Sequence, residues 1–289
     1  MEKNIGLWTN VVKYCLIEYP TQTKKMKVVL LAGGLGSRAK PFSDYCPKAL
    51  IPINGRPIID YIIRYISKFS FISEILIVCE FDSHGKQIIN YFEGKECIID
   101  KKITFIEDKK KGTGGSLLVC QEKLKDDPIF LVWFSDNLCA LNLDTIVVAY
   151  SNINSLNKDN DAIGLLIARK KRHEETGRVI LDEYRKNNIN LIKEFIEKPI
   201  IELEYPEAAG IYIFNNGFLD LLKQKSNEKE SFDLSSDILS KIGHNTKSKL
   251  YCYLIDSNEI NWADIESPTY VERNKKEIDS IILHMESIK

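Results

Sequence analysis

Neither sign of charge dominates this chain. Its 289 residues include 40 Lys and Arg against 41 Asp and Glu, a formal net charge of −1. Nucleic-acid binders usually carry a basic excess, so that class is disfavoured, and any phosphate ligand has to be met by local cations. No apolar run reaches the roughly 20 residues that a membrane-spanning helix needs. The N-terminal stretch MEKNIGLWTNVVKYC has no clean apolar signal-peptide core. The seven cysteines (Cys15, Cys46, Cys79, Cys97, Cys120, Cys139, Cys252) form no Cys-x-x-Cys pair, which argues against zinc and thioredoxin-like sites. Several of them, such as Cys79 at the end of ILIVC, sit in apolar runs, as small buried thiols in a reducing compartment do. The expectation is a cytoplasmic protein without nucleic-acid or membrane partners. The four histidines (His84, His173, His244, His284) have no chemical neighbours that assign them a role.

Short apolar runs are abundant. From Met26 the chain reads MKVVLLAGG, a run stopped by glycines, as a buried parallel strand is. Similar runs recur at 75–79, 103–107, 129–134, 162–168, 191–197 and 210–214. Helical spacing lies between or beyond them, at 57–69, 84–93, 114–125, 215–225, 234–242 and 268–287. Alternating strands and helices predict an α/β fold, a Rossmann-like, doubly wound mixed sheet with helices on both faces. Residues 1–25 show no period and end in the polar TQTKK, which predicts an N-terminal extension ahead of one domain over 26–289.

The first strand runs into LAGGLGSRAKPFSDYCPKAL, residues 31–50. Gly34-x-Gly36-x-x-Ala39 has the form of a dinucleotide-binding fingerprint. That fingerprint needs an unbroken helix and a second strand ending in an acid about 20 residues on. Pro41 and Pro47 interrupt the helix, and no such strand follows. No GxxxxGK[ST] phosphate loop occurs either. The loop still suits a polyanion. Glycines let backbone N–H groups come close, Arg38 brings a permanent forked cation, and Lys48 after Pro47 adds a point charge.

These residues resemble the sugar nucleotidylyltransferases, whose signature reads LAGGxGxRLxPLTxxxPKxLxPxxGxPxxxY. Gly33, Gly34, Gly36, Arg38, Pro41, Pro47, Lys48, Pro52, Gly55, Pro57 and Tyr61 match it, while Ala39 replaces a leucine. The resemblance implies that Leu31, Ala32, Gly33, Gly34, Gly36 and Ser37 line the nucleotide. It implies Mg²⁺ held by Asp136, at the end of IFLVWFSD, and by Asp264, in NWADIESPTY. Glu266 and Ser267 stand where the family has Gly-Thr. Lys198 in EFIEKP resembles the lysine that binds the sugar phosphate, with Glu197 toward the sugar; alone, such a turn is a surface feature. Gly177 and Ala208 fall at further sugar-facing positions, and Ala208 replaces a common asparagine. Glu107 and Gly112, Thr113 and Gly114 match the loop that faces the nucleobase, though a glycine-rich helix entry reads the same way.

The resemblance therefore implies transfer of a nucleotidyl group from a nucleoside triphosphate to a sugar 1-phosphate. Arg38, Lys48, Asp136 and Lys198 would carry the reaction, in a homo-oligomer. It also implies a nucleotide half over about 26–155 and a sugar half over about 156–289. The GTGG form favours GTP with mannose 1-phosphate. Heptose 1-phosphate with GTP, or glucose 1-phosphate with UTP or dTTP, are the alternatives, and a non-catalytic nucleotide-sugar sensor is the rival class. No C-terminal β-helix with acyltransferase activity is expected.

Overall fold

The computed structural model describes residues 25–34, 36–95, 99–156, 161–173, 178–186, 189–196, 199–242, 247–255 and 262–288. The first part of the chain gives β1 (Met26–Leu31), the two-residue strands β2 (Pro52–Ile53) and β3 (Arg56–Pro57), α1 (Ile58–Ser67), β4 (Ile72–Cys79) and α2 (Lys86–Phe92). Next come β5 (Lys102–Glu107), α3 (Gly112–Leu118), α4 (Gln121–Leu124), β6 (Ile129–Phe134), β7 (Asn137–Cys139) and α5 (Leu143–Leu156). The remainder forms β8 (Ala162–His173), β9 (Arg178–Lys186), β10 (Ile189–Ile196), β11 (Ile200–Asn215), α6 (Asn216–Glu228), β12 (Lys249–Ile255), β13 (Trp262–Asp264), α7 (Pro268–Arg273) and α8 (Lys275–Ser287).

Seven strands make the central sheet, in the order β12-β8-β11-β6-β1-β4-β5. β5, β4, β1 and β6 pair in parallel, as do β12 and β8, whereas β11 runs antiparallel to both its neighbours. The sheet is mixed, mostly parallel and covered on both faces, as the sequence predicts. The alternation of β1 shows why its run is apolar throughout. Val28 and Leu30 enter one core with α1, α5 and α8, while Val29 and Leu31 enter the other with α3, α4 and α6. On α1, Ile58, Ile59, Ile62, Ile63 and Ile66 form one buried stripe. Removing one such side chain, as in Ile62→Ala, should cost about 2–5 kcal/mol. Among the described residues no helix is long and apolar enough to cross a membrane.

Some expectations need correction. The run at 191–197 forms β10, but β10 pairs with β9 in a separate hairpin rather than joining the sheet, and Phe195 stays exposed. Lys193 and Glu194 break its apolar character, so it has no second face to bury. The segment at 234–242 is not an α-helix. It is one wide π turn over 234–238 and one 3₁₀ turn over 239–241. Its start is tied locally, because the Asp237 carboxylate accepts the Asp233 N–H (2.8 Å) and the Lys229 ammonium (2.9 Å). The helix read at 114–125 breaks after Leu118 into α3 and α4, and the one at 268–287 breaks at Asn274 into α7 and α8. α5 was hidden by its β-branched residues. Burial of Ile146, Val147 and Tyr150 outweighs that weak propensity.

Candidate active site

The loop after β1 lies at the carboxyl end of the parallel strands, where open α/β sheets place ligands. Its glycines are required by the backbone and by packing. Gly34 and Gly36 have φ of 110° and 55°, left-handed values that favour glycine. A Cβ on Gly33 would lie 2.2 Å from Asp108 Oδ2, so a side chain there would force the Asp108 carboxylate to move. One on Gly36 would lie 3.1 Å from the Ser43 Cβ and 3.3 Å from the Lys48 Cβ. Leu31 and Ala32 are buried. The Leu31 carbonyl accepts the Ser135 N–H (3.1 Å), and the Ala32 N–H donates to the Val78 carbonyl (2.9 Å). Ser37 opens a 3₁₀ turn, Ser37–Ala39, that carries Arg38 outward, its side chain 63% exposed.

Lys48 points the other way. It starts a 3₁₀ turn after Pro47, and its side chain is only 13% exposed. Its Nζ lies 2.6 Å from Asp136 Oδ2 and 3.4 Å from Asp264 Oδ1. The two acids, 128 positions apart by number, are joined by a short antiparallel ladder in which Asn137 of β7 faces Asp264 of β13. The Ile265 N–H donates to the Asp136 carbonyl (2.8 Å) and locks the register. Two indoles buttress the ladder: Trp133 Nε1 donates to the Asn137 carbonyl and Trp262 Nε1 to the Ala209 carbonyl, both at 2.8 Å. Asn137 Nδ2 donates to Asp136 Oδ1 (2.8 Å), fixing that carboxylate. Arg38 Nη1 pairs with Glu266 and lies 3.8 Å from Asp264 Oδ2. Burial, and then the like charge of Asp136, push the Asp264 carboxyl above the usual carboxylate range, while Lys48 and Arg38 pull it back. Arg38, Lys48, Asp136 and Asp264 are thus brought to one centre.

The other expected contacts divide. Glu107 ends β5, exposed and paired with Lys109. Gly112 (φ 74°) and Gly114 are seated on a distant segment. A Cβ on Gly112 would lie 2.4 Å from the Phe232 carbonyl oxygen, and one on Gly114 would lie 2.5 Å from the Phe232 ring. The Thr113 N–H and hydroxyl both donate to Asp233 Oδ1 (3.2 and 3.3 Å), and Thr113 Oγ1 accepts the Leu234 N–H (2.8 Å). These glycines therefore have a packing role at the start of α3. Ala208 is exposed on β11, opposite Ala168 and beside an irregularity where Gly210 takes φ 70°. Gly177, Glu197 and Lys198 lie outside the described residues.

A model of the family described as Nucleotidyl transferase matches residues 27–279 of this chain. The chain belongs to the nucleotidyl transferase family. It is 27% identical over 247 residues to the mannose-1-phosphate guanyltransferase of Candida albicans, covering 84% of this chain and 62% of that protein. It is 32% identical over 265 residues to the bifunctional protein GlmU of Methanococcus maripaludis, covering 89% of this chain and 56% of that protein. The chain thus spans between about half and two thirds of the length of these relatives. Among solved structures, the inositol-1-phosphate CTP transferase from T. maritima superposes with a TM-score of 0.60 over 92% of this chain and 98% of that one. At 15% identity that likeness speaks for the fold.

Supporting residues in this member of the nucleotidyl transferase family carried little signal in the sequence. Asp108 is buried under Gly33 and takes the Ser116 hydroxyl (2.9 Å) and the Lys110 N–H (2.9 Å). Asn137 sets Asp136, and Asp233 sets Thr113. Only adjacency to Glu107 and Asp136 marked the first two, and no signal marked the third. The donor set fits a divalent cation. Two carboxylates, Asp136 from the turn between β6 and β7 and Asp264 from the end of β13, converge on one positive centre, the Lys48 ammonium. Among the described residues no three His, Cys, Asp or Glu side chains are grouped to hold an ion by themselves. Magnesium is commonly held by one or two carboxylates with phosphate and water completing the shell, a donor set that Asp136 and Asp264 match in kind and number.

Proposed function

We propose that this chain transfers a nucleotidyl group from a nucleoside triphosphate to a sugar 1-phosphate, releasing pyrophosphate. The observation that carries the reading is the Lys48 ammonium clasped between Asp136 and Asp264, with Arg38 at its rim, beside a glycine loop at the carboxyl end of a parallel sheet. A phosphate oxygen of the sugar 1-phosphate attacks the α-phosphorus, a new P–O bond forms, and the bond to the β-phosphate breaks. The nucleophile is already an anion, so no general base is needed. The difficulty is to bring two polyanions together, which calls for positioning and charge neutralisation.

The residues divide that work. A bound Mg²⁺ would neutralise phosphate charge, held by Asp136 and Asp264. Lys48 would face the α-phosphate and Arg38 the departing pyrophosphate. Lys198 would orient the sugar phosphate, with Gly177 and Glu197 toward the sugar. The backbone from Leu31 to Ser37 would face the triphosphate, and Glu107 with Gly112–Gly114 would face the base. We take GTP and mannose 1-phosphate as the substrates. The relatives named for guanyl transfer support this, as does the GTGG form of the base loop. The test is a matrix of nucleoside triphosphates against sugar 1-phosphates, with Mg²⁺, read by pyrophosphate release. Turnover with GTP and mannose 1-phosphate above every other pair is expected. A different preferred pair would correct the substrates, and no release from any pair would sink the reading.

A further inference from the structure

Glu266 is the acid at this centre that the proposed reaction leaves without work. It sits in a turn held on both sides. The Ile265 N–H before it donates to the Asp136 carbonyl (2.8 Å), and Ser267 after it caps α7 by accepting the Tyr270 N–H (3.1 Å). Arg38 is its opposite in character. It is a long, exposed side chain on a loop with two left-handed glycines. The carboxylate on this tied backbone hydrogen-bonds the exposed cation through Nη1, and that same Nη1 lies 3.8 Å from Asp264 Oδ2. Among the described residues, Arg38 Nη2 and Nε have no other partner. A guanidinium carries five donors in a planar fork, so one edge can stay on a carboxylate while the other takes a phosphate. A side chain already anchored loses less rotamer freedom when the phosphate arrives.

We propose that Glu266 is a positioning residue that holds the Arg38 guanidinium beside Asp264, with its free edge presented to the triphosphate. This rests on the reading of Arg38 as a phosphate contact. The contrary possibility is that Glu266 only repels the incoming anion, and the two make opposite predictions for its removal.

The test is titration calorimetry of the full chain with inorganic tripolyphosphate and Mg²⁺, a probe that needs no knowledge of base or sugar. Glu266→Ala should weaken binding by about two- to fivefold, the scale of an exposed ion pair. Arg38→Ala should weaken it at least as much, and the double variant should be no weaker than Arg38→Ala alone. Glu266→Asp, which keeps the charge on a shorter stem, should recover part of the loss. With the preferred substrates, Glu266→Ala should raise KM for the triphosphate while leaving KM for the sugar 1-phosphate in place. If Glu266→Ala binds tripolyphosphate as well as or better than the parent, or if the two losses simply add, the inference is overturned. Provided Arg38→Ala still weakens binding, nucleotidyl transfer stands in that case. A parent chain that does not bind tripolyphosphate, with Arg38→Ala no different, would overturn both.

Discussion

The charged centre and the glycine run Gly112–Gly115 are held in different ways. At the centre the functional groups hold one another. Lys48 spans Asp136 and Asp264, and Arg38 sits between Asp264 and Glu266. No packing demand explains a largely buried lysine between two acids, since a hydrophobic side chain of similar volume does such a job at least as well. The glycine run is held from outside, by Phe232 and Asp233. Packing already accounts for glycine at 112 and 114, whatever the loop does beyond that. Residue types that only chemistry demands identify a site more strongly than types that packing demands as well.

The largest effects should fall on the charged centre. Lys48→Ala should lower turnover by about 10²–10³, the usual loss when one preorganised charge-stabilising group is removed. It also leaves Asp136 and Asp264 facing each other without their shared cation, so kcat and the melting temperature should be measured together. Near-normal turnover in a folded Lys48→Ala variant would break the contrast, because the buried lysine would then be structural.

Asp136→Asn and Asp264→Asn come next. Each removes one carboxylate from what is proposed to be a single ion site, so each should raise the Mg²⁺ concentration needed for half-maximal rate. The double variant should be little slower than the worse single variant. Rate losses that multiply in full would mean the two acids do not act on one ion.

Much of this centre was legible in the sequence because its residue types have few other reasons to occur together. Gly-Gly-x-Gly-x-Arg followed by Pro-Lys is a combination that suits a polyanion, and an aspartate just after IFLVWF needs a reason to be there. The apolar runs of β1, β4 and β6 were equally plain, since both faces of those strands are buried. What stayed hidden was decided by distant partners. The β10 run has strand character, yet nothing local says which sheet it joins. The 234–242 segment has helical spacing, but the Asp237 carboxylate ties its start into another turn. The partner of Glu266 depends on a fold that brings positions 38 and 266 together, and spacing carries no trace of it.

The glycine run offers a smaller effect on a different observable. Gly114→Ala forces a methyl against the Phe232 ring, and Gly112→Ala meets the Phe232 carbonyl at a left-handed φ. Overpacking of this kind costs roughly 1–3 kcal/mol. Each variant should melt several degrees lower, with the ranking among nucleoside triphosphates shifting only if the loop also reads the base. An unchanged melting temperature in both variants would remove the packing account and leave base recognition as the reason for the glycines.

The smallest effect concerns what the centre costs the unliganded fold. The Asp264 carboxyl is pushed above its ordinary range by burial and then by Asp136, against the pull of Lys48 and Arg38. An acid whose pKa rises on folding stabilises the folded state in its protonated form. That contribution is whole below the unfolded value and is lost as pH rises through the folded one. Ionising Asp264 therefore weakens the unliganded protein, and Asp264→Asn should relieve that weakness even as it slows turnover. Measured with a chelator present, the variant should melt above the parent at pH 7. The gap should close as pH falls into the ordinary carboxylate range, where the parent's own acid is protonated. A variant that melts lower than the parent at pH 7 would show that attraction to Lys48 outweighs burial, and the charged centre would then be a source of stability as well as of chemistry.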